Sequence, residues 1–269
     1  MISTGKSIPY ILKKPILPLL DKYPDGKAWG MLEMKSDYKG RYFEIGRSSD
    51  ATTLEIYGKS GQVDADAVLA FCGANTGYVL KTFDHGTDTV YMSQATKTKG
   101  PVICAGGAMS VNENGDYGLL FNSTSYMDDL GYNKLPTQSQ FIGASKSNTA
   151  AMTYSGGSVA WMMYYNTDQY PNTSNSLTTV GSLYVNTNIT DVTNRLTFRT
   201  DWGLNLSKVV SQIGFLPSSS WTAWRVGSYN ASASFKFLGT VLFEAHYETD
   251  ETANRVAMQQ LLIDQYNLI

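Results

Sequence analysis

The sequence predicts an all-β protein, a sandwich of two antiparallel sheets that ends in one C-terminal α-helix. The first observation is a succession of about a dozen short apolar segments separated by Gly, Asn, Asp and Ser, as in a chain that runs back and forth between strands. The second is composition, since charged residues make up 16% and aromatic residues 12% of the 269 residues. The third is that no internal repeat or Pro/Gly/Ser-rich linker divides the chain, which favours a single domain.

An extended N-terminal arm, residues 1–20, is predicted to precede the domain, which then spans residues 21–269. Pro9, Pro15 and Pro18 prevent a continuous helix in the arm and favour an extended path. The arm is nevertheless too apolar to lie in water, so we expect it to be covered by the domain's own sheet or by another protein. The residues predicted to dock onto another protein are Tyr10, Ile11, Leu12, Ile16 and Leu17.

The first half of the domain has the clearest order of elements. Asp64 can cap a short helix that Gly73 ends, because Asp accepts N–H bonds at a helix N-terminus and Gly adopts a left-handed conformation at low cost. The stretch 28–34 is predicted as a helix or a strand, since Gly30 weakens the helix. The other predicted elements are strands at 41–46, 52–57 and 78–83 and the helix itself at 64–71.

Short strands continue beyond residue 105. An Asn-Gly turn at 114–115 predicts a hairpin, and the unbroken apolar run at 159–165 predicts a buried strand. The strands predicted in this half are 117–121, 140–143, 150–154, 159–165, 182–185, 195–199, 209–214, 222–226 and 233–244.

The chain ends in its strongest helical pattern, residues 253–266. Asp250 can cap this helix, and Met258, Leu262 and Tyr266 recur at the spacing of one helix face. This apolar face is expected to pack across the core strand that precedes it, residues 238–247.

Bulk properties argue against two classes of partner. A net charge of −2 without a basic stripe is unlike a nucleic-acid-binding protein, and no run approaches the roughly 18 apolar residues of a membrane helix. No secretory signal is predicted, since Lys13, Lys14 and Pro15 interrupt the first apolar stretch. Cys72 and Cys104 lack the spacing of a metal site, and both two buried free thiols and a single bridge between them remain open.

No catalytic residue, metal site or cofactor is predicted. His85 and His246, the two histidines, lack the partners of a catalytic triad. Asp84, Asp88 and Asp116 are interpreted as turn formers, because Asp readily bonds its own backbone in turns. Calcium binding by Asp84 and Asp88 is an alternative that would need more oxygen ligands than these two side chains supply.

Several short motifs carry a resemblance to a known family. They are Arg47-Ser-Ser-Asp50, Asp64-Ala-Asp66, Ala70-Phe71, Gly77-Tyr-Val79, Phe83-Asp84 and Ser93-Gln-Ala95. In this order they resemble the N-terminal half of the arabinofuranosidase-B-like domain, a concanavalin A-like jelly-roll sandwich. The resemblance covers roughly the first 110 residues and, less closely, the last 30. The sequence departs from it at 83–86, where Phe-Asp-His-Gly replaces Tyr-Asp-Gln-Ser-Gly.

The resemblance also bears on catalysis. Arabinofuranosidases of that family use two carboxylates, and their nucleophile lies in a Gly-His-Met-Glu-Ala-type strand after two adjacent cysteines. The comparable strand here, 157–163, has no carboxylate, and the chain has no adjacent cysteines. A non-enzymatic protein is therefore predicted.

Non-enzymatic versions of the domain resemble parts of bacteriophage tail and fibre proteins. The resemblance thus implies a virion structural protein, a head or tail fibre or decoration subunit assembled in the host cytoplasm. It would dock to other virion proteins through the arm, form a homo-oligomer (a trimer is one candidate) and present a lectin-like sandwich to a host cell-surface glycan.

The predicted sugar contacts are Trp202, Trp221 and Tyr170, because a flat aromatic ring can cover the apolar face of a sugar. The alternatives are a glycoside hydrolase, a carbohydrate-binding module and a capsid decoration protein without a ligand.

Overall fold

The computed structural model describes residues 16–112, 115–129, 137–146, 150–156, 161–165, 208–215, 223–227, 238–249, 251 and 253–266. The helices in these ranges are α1 (Leu19–Lys22), α2 (Ala65–Cys72) and α3 (Arg255–Gln265), with a 3-10 turn at Lys97–Lys99. The strands are β1 (Lys27–Gly30), β2 (Arg41–Arg47), β3 (Thr53–Lys59), β4 (Gln62–Val63), β5 (Gly77–Phe83), β6 (Val90–Ser93), β7 (Val102–Ala105), β8 (Ala108–Met109), β9 (Leu119–Phe121), β10 (Met127–Asp129), β11 (Thr137–Lys146), β12 (Ala150–Gly156), β13 (Trp161–Tyr165), β14 (Lys208–Phe215), β15 (Ala223–Val226) and β16 (Gly239–Tyr247).

The predicted all-β sandwich with a C-terminal helix is confirmed. Each strand pair in the described ranges is antiparallel, and hydrogen bonds connect the strands into one network that supplies both layers of the sandwich. The longest path through this network runs β13-β12-β15-β10-β6-β5-β7-β9-β16-β11-β14, with β1 also on β16 and with β2, β3 and β4 continuing from β5.

Two groups of buried side chains lie on opposite faces of the layer formed by β1, β11 and β16. Ala28 and Phe141 belong to the outer cluster, whereas their chain neighbours Trp29 and Ile142 belong to the inner cluster. This division follows from the alternation of side chains along a strand. The inner cluster also takes residues from β2, β5 and β6, and the outer cluster takes residues from α1 and α3.

The strand β16 lies between the two clusters and is buried at each of its nine positions. It pairs with β11 on one side and with β1 and β9 on the other. The pairing with β11 shifts between Gly143 and Ala144, a bulge that brings Leu242 and Phe243 into the same outer cluster. The core strand predicted at 238–247 is therefore the centre of this layer.

The C-terminal helix packs as predicted, although it begins later. Met258, Leu262 and Tyr266 are buried in the outer cluster. The helix starts at Arg255 because the two residues before it form a turn closed by the Asn254 N–H, which donates to the Glu251 carbonyl at 3.0 Å. Asp250, the predicted cap, lies outside the described residues.

The last residues of the predicted arm pack against the outer cluster. Pro18 precedes α1, and Leu19 and Leu20 of that helix are buried in the outer cluster. Of the two alternatives for 28–34, the structure has a strand, because Ala28 and Trp29 pair with β16 and reach opposite clusters. The predicted cap of α2 is confirmed, since the Asp64 side chain accepts the Ala67 N–H at 3.1 Å.

The later strands differ from prediction mainly at their ends. Asn114 of the predicted hairpin turn lies outside the described residues. Val111 and Tyr117 on either side of it form an antiparallel bridge, and the following strand starts at Leu119 instead of residue 117. The predicted strands at 140–143, 150–154, 209–214 and 222–226 correspond to β11, β12, β14 and β15. The predicted strands at 182–185 and 195–199 lie outside the described residues.

Candidate functional site

The sugar contacts that the sequence predicts cannot be placed from the described residues. Trp202, Trp221 and Tyr170 lie outside them, as do Tyr10, Ile11 and Leu12 of the arm. The described end of the arm, Ile16 and Leu17, is exposed by 45% and 57%. These two side chains are thus apolar, in contact with water and available to a partner.

A groove of about 310 Å³ lies where α3 meets the segment after β1. Four distant parts of the chain form it: the end of β1, β4, the turn before β9 and the end of α3. Its lining residues are Met31, Leu32, Gln62, Gly115, Asp116, Tyr117, Gln265 and Tyr266. This volume is at the lower end of the range found for small-ligand sites.

One wall of the groove is fixed by hydrogen bonds between α3 and the chain after β1. The Tyr266 hydroxyl accepts the Leu32 N–H at 3.3 Å, and the Gln265 side-chain amide donates to the Glu33 carbonyl at 2.7 Å. The ring of Tyr266 is at the same time part of the outer cluster, and burial raises the pKa of its hydroxyl. The wall therefore depends on the docking of α3.

A compact turn forms the opposite wall. The Asn112 side chain accepts the Asp116 N–H at 2.8 Å and donates to the Asp116 carboxylate at 3.0 Å. The interpretation of Asp116 as a turn former is therefore confirmed. The half-buried side chain of Tyr117 follows this turn and lines the groove. The backbone of Tyr117 forms a β-bridge with that of Val111.

The lining combines the groups that a polyhydroxylated ligand needs. The Asp116 carboxylate can accept hydrogen bonds from hydroxyl groups, and the Gln62 amide can bond them in either direction. The half-buried side chains of Tyr117 and Leu32 offer apolar surface beside them. The groove can therefore bind a small molecule that has both hydroxyl groups and an apolar face.

The loop after β5 has a structural role. The Asp84 carboxylate accepts the N–H groups of Ala28 at 2.9 Å and Gly86 at 3.1 Å. It also accepts the Thr87 hydroxyl at 2.7 Å. Asp84 thus ties the loop to β1, which confirms its interpretation as a turn former.

Asp88 is engaged in a different set of bonds. Its carboxylate accepts the Arg41 N–H at 2.9 Å and the Tyr38 hydroxyl at 3.1 Å, and it forms an ion pair with the Arg41 guanidinium at 3.4 Å. Within the described ranges no group of three His, Cys, Asp or Glu side chains is placed to hold a metal ion.

His85 is a packed, neutral side chain. Its Nδ1 accepts the Met34 N–H at 3.1 Å, and its ring stacks on Tyr38 with 4.4 Å between centroids. Burial lowers the pKa of His85 to about 3. His246 on β16 is likewise buried, and burial lowers its pKa to about 3. The expectation that His246 is packed within a strand is therefore confirmed.

Buried carboxylates gather around Tyr91, a feature that sequence analysis missed. Burial raises the pKa of the Tyr91 hydroxyl well above its usual value, and the nearby carboxylates of Glu244 and Asp129 add to the rise. Glu244 is fully buried on β16 and Asp129 is 7% exposed on β10. The available signal was Glu244 itself, a carboxylate within a mostly apolar core strand.

Comparison with known proteins shows a likeness in fold. No protein-family model matches the sequence, and no curated protein matches it. The structure is similar to a mutant of GH54 α-L-arabinofuranosidase soaked with 4-nitrophenyl α-L-arabinofuranoside, with a TM-score of 0.57 and 14% identity. It is also similar to GH54 α-L-arabinofuranosidase soaked with a cyclic sulfate inhibitor, with a TM-score of 0.57 and 13% identity.

A third similar structure is arabinofuranosidase complexed with arabinofuranosyl-α-1,2-xylobiose, with a TM-score of 0.56 and 15% identity. The three alignments include 92–93% of this chain but only 64–65% of the other chains, so this chain spans less than two thirds of their length. At such low identity the likeness concerns the fold, which agrees with a concanavalin A-like β-sandwich. Among the described helices, none has the length and apolar character needed to cross a bilayer.

We expect the buried His85 to make stability depend on pH. Its pKa of about 3 lies below the ordinary value of 6.5, so the unfolded chain binds a proton in a pH range where the folded protein does not. The contribution of the neutral ring is complete above pH 6.5 and is lost as the pH falls toward 3. Urea unfolding at pH 7 and pH 5 measures this loss.

The test variant is His85→Asn, whose amide oxygen can still accept the Met34 N–H. Between pH 7 and pH 5 its free energy of unfolding should fall by about 2 kcal/mol less than that of the parent protein. An equal fall in both proteins would contradict the depressed pKa of His85.

Proposed function

We propose that this chain is a carbohydrate-binding β-sandwich protein whose ligand contains an arabinofuranoside-like sugar. The observation that carries the proposal is the likeness in fold over 92% of the chain to arabinofuranosidases. Two of those proteins were studied with arabinofuranosyl compounds. The sugar class is taken from these proteins and applied to the present chain as a hypothesis.

The groove beside α3 is the proposed binding site. Its volume of about 310 Å³ suits one or two sugar units, and its lining offers hydrogen-bonding groups next to the ring of Tyr117. Hydrogen bonds to Asn112 and Tyr266 hold the walls in place. Little ordering is needed when a sugar binds, which favours affinity.

Binding without cleavage is the function that this groove supports. Glycoside hydrolysis by the common mechanism uses two carboxyl groups on either side of the bond that breaks. Among the described residues that line the groove, Asp116 supplies the single carboxylate, and that carboxylate is bonded to Asn112. The groove can therefore orient a sugar, and the described part of its lining does not offer the two carboxyl groups that a glycosidase requires.

Hydrolysis is a second candidate because of the acidic cluster around Tyr91. Glu244 on β16 and Asp129 on β10 are both buried, and the charges of their carboxylates add to the raised pKa of the buried Tyr91 hydroxyl. Two carboxyl groups in a poorly solvated place can differ in protonation, which is what an acid and a nucleophile need. This candidate requires that a sugar reach Glu244, which is fully buried.

The role on a bacteriophage virion is a further part of the proposal. It rests on the sequence resemblance and on the exposed apolar side chains of Ile16 and Leu17 at the described end of the arm. In this role the arm docks to other virion proteins, the chain assembles as a homo-oligomer and the sandwich binds a host glycan. Among the described residues, burial begins at Pro18, so the docking segment proposed here is residues 1–17.

Substitutions in the groove test the binding site. Titration calorimetry with arabinofuranosyl-xylobiose should show binding by the parent protein, and Tyr117→Ala should weaken it at least tenfold (about 1.4 kcal/mol) because the apolar contact is lost. A matched control is Tyr57→Ala, since Tyr57 is 48% exposed on β3 and is not among the groove residues. Equal affinity of the two variants would contradict the groove as the site.

The same ligand separates binding from hydrolysis. The binding proposal predicts that the trisaccharide remains intact after prolonged incubation, as read by chromatography of the products. Release of arabinose that Glu244→Gln abolishes would overturn the binding proposal in favour of the second candidate.

Removal of residues 1–17 tests the docking role. The truncated protein should keep the thermal unfolding midpoint of the parent, because α1 and its buried leucines remain. We expect it to be missing from purified virions in which the full-length chain is present, as read by mass spectrometry. Equal incorporation of the two forms would exclude the arm as the attachment segment.

A further inference from the structure

Two buried thiols meet at the junction of α2 and the inner cluster. Cys72 is the last residue of α2, and Cys104 lies on β7. Both are free thiols, each 1% exposed, and both belong to the inner cluster. The sequence left open whether they stay separate or join, and their arrangement bears on that choice.

The position of Gly77 shows how close the two sulfur atoms are. Gly77 on β5 is the register partner of Cys104 on β7. A Cβ atom placed on Gly77 would lie 2.6 Å from the Cys72 sulfur and 2.7 Å from the Cys104 sulfur. Both sulfur atoms therefore approach one point, and their separation cannot exceed the sum of these two short distances.

The missing side chain of Gly77 makes this approach possible. Real Cβ atoms do not come within 3.0 Å of a neighbour, so any other residue at position 77 would push both sulfur atoms away. The strand thus has its smallest residue at the point where the two thiols meet. Apolar packing alone would be served as well by two thiols in separate places.

We propose that Cys72 and Cys104 are an oxidation site at which one intramolecular disulfide forms. In this reaction the two thiols lose two protons and two electrons, and a sulfur–sulfur bond forms between the side chains. A low-molecular-weight disulfide such as glutathione disulfide accepts the electrons and the protons and becomes two glutathione thiols. The reaction passes through a mixed disulfide, which the second cysteine thiol resolves.

The folded protein protects the pair, so the bond forms while α2 is detached. Burial raises the pKa of Cys72 to about 12, and the neighbouring Cys104 thiol adds to this rise, so little of the reactive thiolate exists in the packed state. The helix has eight residues, of which Val68 and Cys72 are buried. Only these two of its eight side chains are fully buried, so we expect folding or local opening to expose the Cys72 thiol.

The bond would join Cys72 at the end of α2 to Cys104 on β7, and it would close a loop that contains β5 and β6. These two strands supply Val79, Tyr91 and Met92 to the inner cluster. A cross-link across residues 72–104 reduces the conformational freedom of the unfolded chain, so it should stabilise this layer. The inference is independent of the sugar-binding proposal.

Oxidative refolding of the full chain tests the proposal. The protein is unfolded with reductant, returned to buffer with reduced and oxidised glutathione, and then denatured and alkylated with iodoacetamide. We expect neither cysteine to be alkylated. The intact mass should therefore be lower than that of the reduced, unalkylated chain by two hydrogen atoms. The thermal midpoint should exceed that of the reduced protein by roughly 5–10 °C.

Cys72→Ser and Cys104→Ser are the matched controls, since each leaves one thiol without its partner. Their remaining thiol should be alkylated or carry glutathione, and glutathione should not change their thermal midpoint by a comparable amount. Alkylation of both cysteines after oxidative refolding, or disulfide-linked dimers of the parent chain, would overturn the proposal. Should refolding fail, the native protein is incubated with glutathione disulfide in mild denaturant. The intact mass after alkylation and the thermal midpoint are then measured in the same way.

Discussion

The burial of β16 on both of its faces is the constraint on which the rest of the structure depends. Each of its nine residues is buried, and the two clusters of apolar side chains lie on opposite sides of it. An edge strand could not serve this purpose, because only a strand with partners on both sides satisfies its backbone groups. The flanking strands β1, β9 and β11 and the covering helices α1 and α3 all follow from this requirement.

Polar side chains within this strand are the second consequence. Glu244 and His246 are buried on the same strand as Val241 and Phe243. Burial disfavours a charged imidazole, so His246 is neutral with a pKa of about 3. Glu244 is fully buried as well, and its carboxylate adds to the raised pKa of the buried Tyr91 hydroxyl.

Local signals in the sequence predicted those elements whose ends are set by single residues. Asp64 and Gly73 limit α2 in the structure as in the prediction, because capping and positive φ are properties of individual residues. Sequence analysis left residues 28–34 undecided, since the pairing of Trp29 with Glu244 on β16 decides that choice. The groove could not be predicted at all. One wall joins α3 to the chain after β1, and a contact such as that of the Tyr266 hydroxyl with Leu32, 234 positions apart in the sequence, leaves no local pattern.

The groove also shows how the candidate function depends on the same constraint. Tyr266 is a member of the outer cluster and a wall of the groove, so packing of α3 over β16 shapes the proposed binding site. Hydrogen–deuterium exchange tests this arrangement most directly. The amides of β16 should exchange the slowest, at a rate set by global unfolding, whereas those of the largely exposed β3 should exchange sooner. Amides of β16 that exchange as fast as those of β3 would contradict the central position of this strand.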